Sequence, residues 1–219
     1  MPRWLLIAIA ILSVLFGWQI LFPPLPAATP SPLAIGSAGE TDPCPLPDKY
    51  RQADQPLQSD IDGRIKTRQL GNSTFTPLAG FSLQARVLAR ENYTFGSEAE
   101  FSPTDLALGW GPMAETGMAR KLNIKQSGRF YYYSWGSEGP PIEQGDIARS
   151  SANMHIVPAN RMVSDKLKTI AANDVIELHG WLIRIDRNDG WRWQSSLTRD
   201  DTGAGACELV YVCRIVRLR

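Results

Sequence analysis

The sequence predicts an α+β, mostly β fold: a small barrel-like antiparallel sheet with short helices, preceded by one N-terminal transmembrane helix. Three observations predict it. Residues Trp4 to Phe22 carry no ionisable side chain. Apolar residues alternate at period two in later runs, most plainly from Phe81 to Arg90. The last fifty residues read as strand, turn, strand, Gly-rich loop and strand, with one helical segment before them.

The N-terminal run, 19 residues long, spans about 28 Å as a helix, close to the hydrocarbon thickness of a bilayer. A secretory signal core is shorter, roughly 7–15 residues, and ends at small residues. Here the run ends at Phe22, followed by Pro23, Pro24 and Pro26. An uncleaved anchor over 1–22 is therefore the expectation, with a cleaved signal as its alternative. Arg3 precedes the run, and no Lys or Arg follows until Lys49. The positive-inside bias then keeps the N-terminus in the cytoplasm and sends the rest outward. In a bacterium this is a single-pass inner-membrane protein with a periplasmic C-terminal domain.

Residues 23–63 are rich in proline, which removes backbone donors and blocks helix, so they read as a linker or stalk. Residues 64–219 read as a single extracytoplasmic globular domain. In order, Phe81 to Arg90 is a half-buried strand. Ser102 to Trp110 is expected to be a short helix, because Ser102-Pro-Thr-Asp105 looks like a cap. A second short helix is expected within Met113 to Ile124. Phe130 to Trp135 has strong strand composition. Ile142 to Ala148 opens a short helix, Ala152 to Val157 is a strand stopped by Pro158, and Arg161 to Ala172 has helical apolar spacing. Val175 to Ile185 is a strand whose alternation slips at Gly180, as a bulge would make it slip. Asn188-Asp189-Gly190 is a hairpin turn leading into a return strand from Trp191 to Leu197. Cys207 to Val216 is apolar at both parities and reads as a central strand.

The stretch from about 170 to 216 resembles, in pattern, the oligonucleotide- and oligosaccharide-binding barrels, whose first strand commonly carries a glycine bulge. The resemblance implies a curled sheet that presents a binding face.

Charge excludes little. Residues 118–219 hold 15 Lys and Arg against 11 Asp and Glu, and residues 1–117 hold 8 against 11. That asymmetry is too mild to point to nucleic acid, and the expected location argues against it. Of the cysteines, Cys207 and Cys213 lie about 20 Å apart along one strand, too far to bridge. Any intrachain disulfide must therefore use Cys44.

No Gly-x-Ser-x-Gly, Gly-x-Gly-x-x-Gly or Walker-type motif is present, and the sequence leaves any cofactor unknown. The densest polar cluster is the 195–208 loop. There Arg199 could grip an anion, Asp200 and Asp201 could hold a hard cation, and Glu208 follows. His155 and His179 are the only histidines. Trp191 and Trp193, with Tyr131 to Tyr133, Trp135 and Trp181, supply aromatic faces, to which Arg184, Arg192 or Arg199 could add charge. The ligand-binding candidates are thus His155, Trp191, Trp193, Arg199, Asp200, Asp201 and Glu208. The expected function is a membrane-anchored binding or accessory domain that recognises a protein partner or an envelope polymer. The rival is an envelope hydrolase or metal-dependent enzyme using His155 and the 195–208 loop. A packed His155 favours the first; an open pocket gathering His155, Arg199 and the acids favours the second.

Overall fold

A computed structural model of the chain describes residues 44–47, 55–198 and 207–218. The expected membrane helix over 1–22, much of the 23–63 linker, and Arg199, Asp200 and Asp201 lie outside the described residues. No helix among the described residues is long and apolar enough to cross a membrane.

The fold is mostly β, with few short helices. Its strands are β1 (Leu57–Ser59), β2 (Arg68–Leu70), β3 (Ser73–Asn92), β4 (Thr104–Gly109), β5 (Asn123–Ser127), β6 (Phe130–Ser134), β7 (Ser151–Pro158), β8 (Val175–Arg187), β9 (Arg192–Gln194) and β10 (Glu208–Arg217). Helices α1 (Met118–Lys121), α2 (Gln144–Arg149) and α3 (Arg161–Lys168) and a 3-10 turn (Gly111–Ala114) are interspersed. One sheet runs β1-β3-β4-β7-β10-β8-β9 and curls so that β8 also pairs with β3. That last pairing extends from Ser73 opposite Arg187 to Arg86 opposite Val175. All of these pairings are antiparallel except β7 with β10. Strands β5 and β6 form a separate two-stranded sheet.

Curling gives the sheet two apolar sides. Inside it, Phe81, Leu83, Leu106, Leu108, Met154, Ile176 and Val210 pack together, with Val163 and Leu167 of α3 closing one end. Asn160 caps α3 by accepting the Val163 N–H at 3.0 Å. At its other end Arg90 donates to the Leu167 and Ile170 carbonyls, both at 2.6 Å. On the outer side Phe75, Phe101, Trp181, Ile183, Leu209 and Tyr211 form a second cluster. A third cluster, including Leu88, Met113, Met118 and Ile147, lies beneath the β5–β6 hairpin.

Three expectations need correction. The helix expected over 102–110 is strand β4, all six residues of which are buried. The Ser-Pro-Thr-Asp stretch does not cap a helix, because β4 is paired on both edges, by β3 and β7, and the Asp105 carboxylate is used elsewhere. The second short helix shrinks to the 3-10 turn and α1, because β5 begins at Asn123. The slip at Gly180 is not a bulge within β8. Ile176, Leu178 and Leu182 face the inner cluster and Trp181, Ile183 and Ile185 the outer one, so a strand buried on both sides is apolar at both parities. The register shift lies across from it, on β10 between Val212 and Arg214.

Gly180 is needed for another reason. A Cβ there would enter the van der Waals envelope of the Tyr211 carbonyl oxygen on β10, and backbone cannot retreat as a flexible side chain can. Gly180→Ala is expected to cost about 3 kcal/mol, read as a lower midpoint in chemical denaturation.

The first described segment is tied down. Cys44 is disulfide-bonded to Cys213, the residue at the β10 shift. Trp181 Nε1 donates to the Pro45 carbonyl at 2.7 Å. Strand β1 lies within the stretch read as linker, yet it pairs with β3 from Gly80 to Ser82.

Candidate functional site

The polar centre of the molecule is a buried carboxylate on β4. Asp105 is fully buried and stands directly opposite His155 of β7. Its Oδ1 accepts from Arg129 Nη1 at 2.8 Å. Its Oδ2 accepts from Asn153 Nδ2 at 3.1 Å. The same oxygen lies 3.0 Å from His155 Nδ1, a close electrostatic contact rather than an aligned hydrogen bond. Asn153 and His155 alternate with Met154 on β7, so they share the face that Asp105 presents while Met154 enters the inner cluster.

Arg129 reaches this carboxylate from the tip of the β5–β6 hairpin. Gly128 and Arg129 form the two-residue connection, with φ of 58° and 70°. Both central residues of such a turn need positive φ, which glycine adopts freely and arginine does not. Side-chain contacts offset that cost. Arg129 Nη1 also donates to the Ser102 carbonyl at 2.9 Å. The guanidinium carbon lies 3.7 Å from the Tyr93 ring centroid and 5.6 Å from that of Trp193. The Arg129 N–H donates to Tyr93 Oη at 3.2 Å, and its carbonyl accepts from Asn153 Nδ2 at 2.9 Å. Two further polar contacts fasten the hairpin: Gln126 Nε2 to Asn153 Oδ1 at 2.8 Å, and a short bond between Tyr131 and Ser151 hydroxyls. Burial pushes the Tyr131 phenol up to about 12, so it stays neutral and able to donate.

The sequence candidates divide around this centre. His155 is 4% exposed and packs against Trp193 with ring centroids 4.8 Å apart. Trp191 and Trp193 are half-buried over the outer cluster, and Trp191 stacks on Phe101 at 5.6 Å. The Arg187 guanidinium lies 5.6 Å from the Trp191 ring. Arg184 and Arg192 flank Asp186 at 2.6 and 2.5 Å and hold its carboxyl below the usual range against the opposing effect of desolvation. Glu208 is buried at the start of β10, opposite Met154, whereas Leu209 is the residue opposite His155. Cys207 lies outside the disulfide, and its thiol donates to the Arg129 carbonyl at 3.8 Å. Of the three tyrosines, Tyr131 and Tyr133 pack inward and Tyr132 is 55% exposed.

Asp105, Arg129, Asn153 and Tyr93 are the site residues that sequence reasoning missed. A two-residue Gly128-Arg129 turn between two strand-like runs was the one local signal available for Arg129. No group of three His, Cys, Asp or Glu side chains suited to a metal occurs among the described residues. A cleft of about 340 Å3 lies away from this centre, bordered by Pro56, Trp110, Pro112, Asp146, Arg149 and Ser150. It contains none of the sequence candidates.

The second histidine behaves differently. His179 on β8 is 1% exposed. Burial lowers its pKa to about 4, with Arg214 acting in the same direction and Glu177 against it. The unfolded chain therefore takes up the proton more readily than the folded one. Stability is expected to fall by about 2 kcal/mol as pH drops from about 6.5 to 4, and His179→Gln should flatten that part of the curve. Urea titrations across this range check it.

The chain matches no family model, no curated protein and no solved structure.

Proposed function

We propose that this protein is a membrane-anchored extracytoplasmic binding or accessory domain, held by residues 1–22 and recognising a protein partner or an envelope polymer. The observation that carries this reading is the packing of His155. It lies beneath Trp193, beside a carboxylate already compensated by Arg129. A general acid or base needs a reacting group within hydrogen-bond reach, and this pair is roofed by aromatic and hairpin residues. The outer aromatic surface of Trp191 and Trp193, with Arg187 and Arg192 alongside, has the amphipathic chemistry that stacks on sugars or anchors a protein partner.

Two observations support the wider picture. A disulfide such as Cys44–Cys213 persists in oxidising compartments and is uncommon in the cytosol of mesophiles. The strand order β3-β4-β7-β10-β8, with β8 returning to β3, β7 parallel to β10, and α3 between β7 and β8, fits a partly open barrel of the oligonucleotide- and oligosaccharide-binding type.

Alkylation of intact cells under non-reducing conditions tests the placement. One reactive thiol per chain, at Cys207, is the expected result. Three reactive thiols at steady state would put the domain in a reducing compartment and remove the basis for an envelope ligand.

A further inference from the structure

The contacts around Arg129 have the composition of a receptor site. Its walls come from five places in the curled sheet and its loops: the Tyr93 ring after β3, the Ser102 carbonyl, the Asp105 carboxylate on β4, Asn153 on β7 and the Trp193 ring on β9. The guest comes from a different sheet, whose backbone ladder is confined to β5 and β6. An aromatic face at 3.7 Å, a buried carboxylate and a carbonyl together select a planar cation with several N–H donors. Arg129 Nη2 is buried without a hydrogen-bond acceptor among the described residues, so the present guest leaves one of its donors unused. The guest is also held in left-handed backbone, at a turn position where glycine is favoured.

We infer that Tyr93, Asp105 and Trp193 form a guanidinium-selective cage, filled in cis by Arg129, and that an arginine side chain is the class of ligand the cage takes. Docking of the β5–β6 hairpin is then a receptor–ligand contact within one chain. This goes beyond the binding role of the outer face and does not depend on it, since the cage is defined by contacts within the chain at Tyr93, Asp105 and Trp193.

The test uses full-chain Arg129→Ala titrated with N-methylguanidinium at constant ionic strength, followed by tryptophan emission and thermal midpoint. Saturable binding in the millimolar range is expected, about tenfold tighter than methylammonium, because the ammonium lacks the planar fork. Adding Asp105→Asn should weaken it about tenfold. Wild type, whose cage is occupied, should give no saturable response. Where Arg129→Ala does not fold, Arg129→Lys carries the same titration, and N-methylguanidinium alone should return its emission to the wild-type value. A response equal for both cations, or unchanged by Asp105→Asn, or absent from both variants, overturns the inference.

Discussion

Removing the Cys44–Cys213 disulfide is expected to lower the unfolding free energy by about 3–5 kcal/mol. The bond joins residues separated by 169 positions, so the unfolded chain loses much of its freedom when it is closed. It also holds the backbone that accepts the Trp181 indole hydrogen at 2.7 Å. Cys44→Ser/Cys213→Ser should therefore show both a lower urea midpoint and a steeper denaturant slope, the latter because the open unfolded chain exposes more surface. Cys207→Ser is the matched control. Its thiol donates to the Arg129 carbonyl over a long 3.8 Å, and the loss should stay near 1 kcal/mol. Equal losses from both variants would mean that the staple contributes nothing through the unfolded state.

Asp105→Ala should cost a comparable amount, about 3–5 kcal/mol, by a different route. It takes from the Arg129 guanidinium, 16% exposed in its side chain, the carboxylate that pairs with it, and removes the group that faces His155. The cost lies in the uncompensated charge rather than in a missing attraction. Asp105→Leu combined with Arg129→Met should therefore be more stable than either Asp105→Ala or Arg129→Ala alone. Chemical denaturation of the four proteins checks this ordering. A loss below about 1 kcal/mol for Asp105→Ala would mean that water reaches the cluster and screens it.

Local pattern made the regular elements legible. Strands β3, β6, β7, β8 and β10, helix α3 and the Asn188–Gly190 turn follow from periodicity and turn chemistry, because in each the local signal agrees with the tertiary partner. Where the two disagree, the tertiary partner wins. Ser102 to Asp105 has the composition of a helix start, but Leu106 to Leu108 are buried between β3 and β7, and only an extended strand can pair with both. Gly180 illustrates the same limit. A glycine in a strand signals a bulge or a close backbone approach, and the sequence does not say which.

The site was less legible, because its members are far apart in the chain. Asp105, Arg129, His155 and Trp193 meet only through the register of β4 with β7 and the way the hairpin folds over them. His155 and the tryptophans could be singled out as scarce or large residues. Asp105 sits in a stretch with the composition of a helix cap, and nothing local marks Arg129 beyond the Gly128-Arg129 pair. The 195–208 loop drew notice through its polar composition, and of its site candidates only Glu208 is among the described residues, paired with the strand that bears His155 rather than placed opposite it.

Site-specific photo-crosslinking in intact cells tests the binding role of the outer aromatic face. A crosslinker replacing Arg192, whose side chain is 65% exposed beside Trp191 and Trp193, should give a discrete adduct with one envelope protein or with cell-wall polymer. The same probe replacing Met162, 75% exposed on α3, should give none. Trp191→Ala should abolish the adduct while leaving the thermal midpoint within a few degrees of wild type. No adduct from position 192, or equal adducts from both positions, would contradict a binding role for this face.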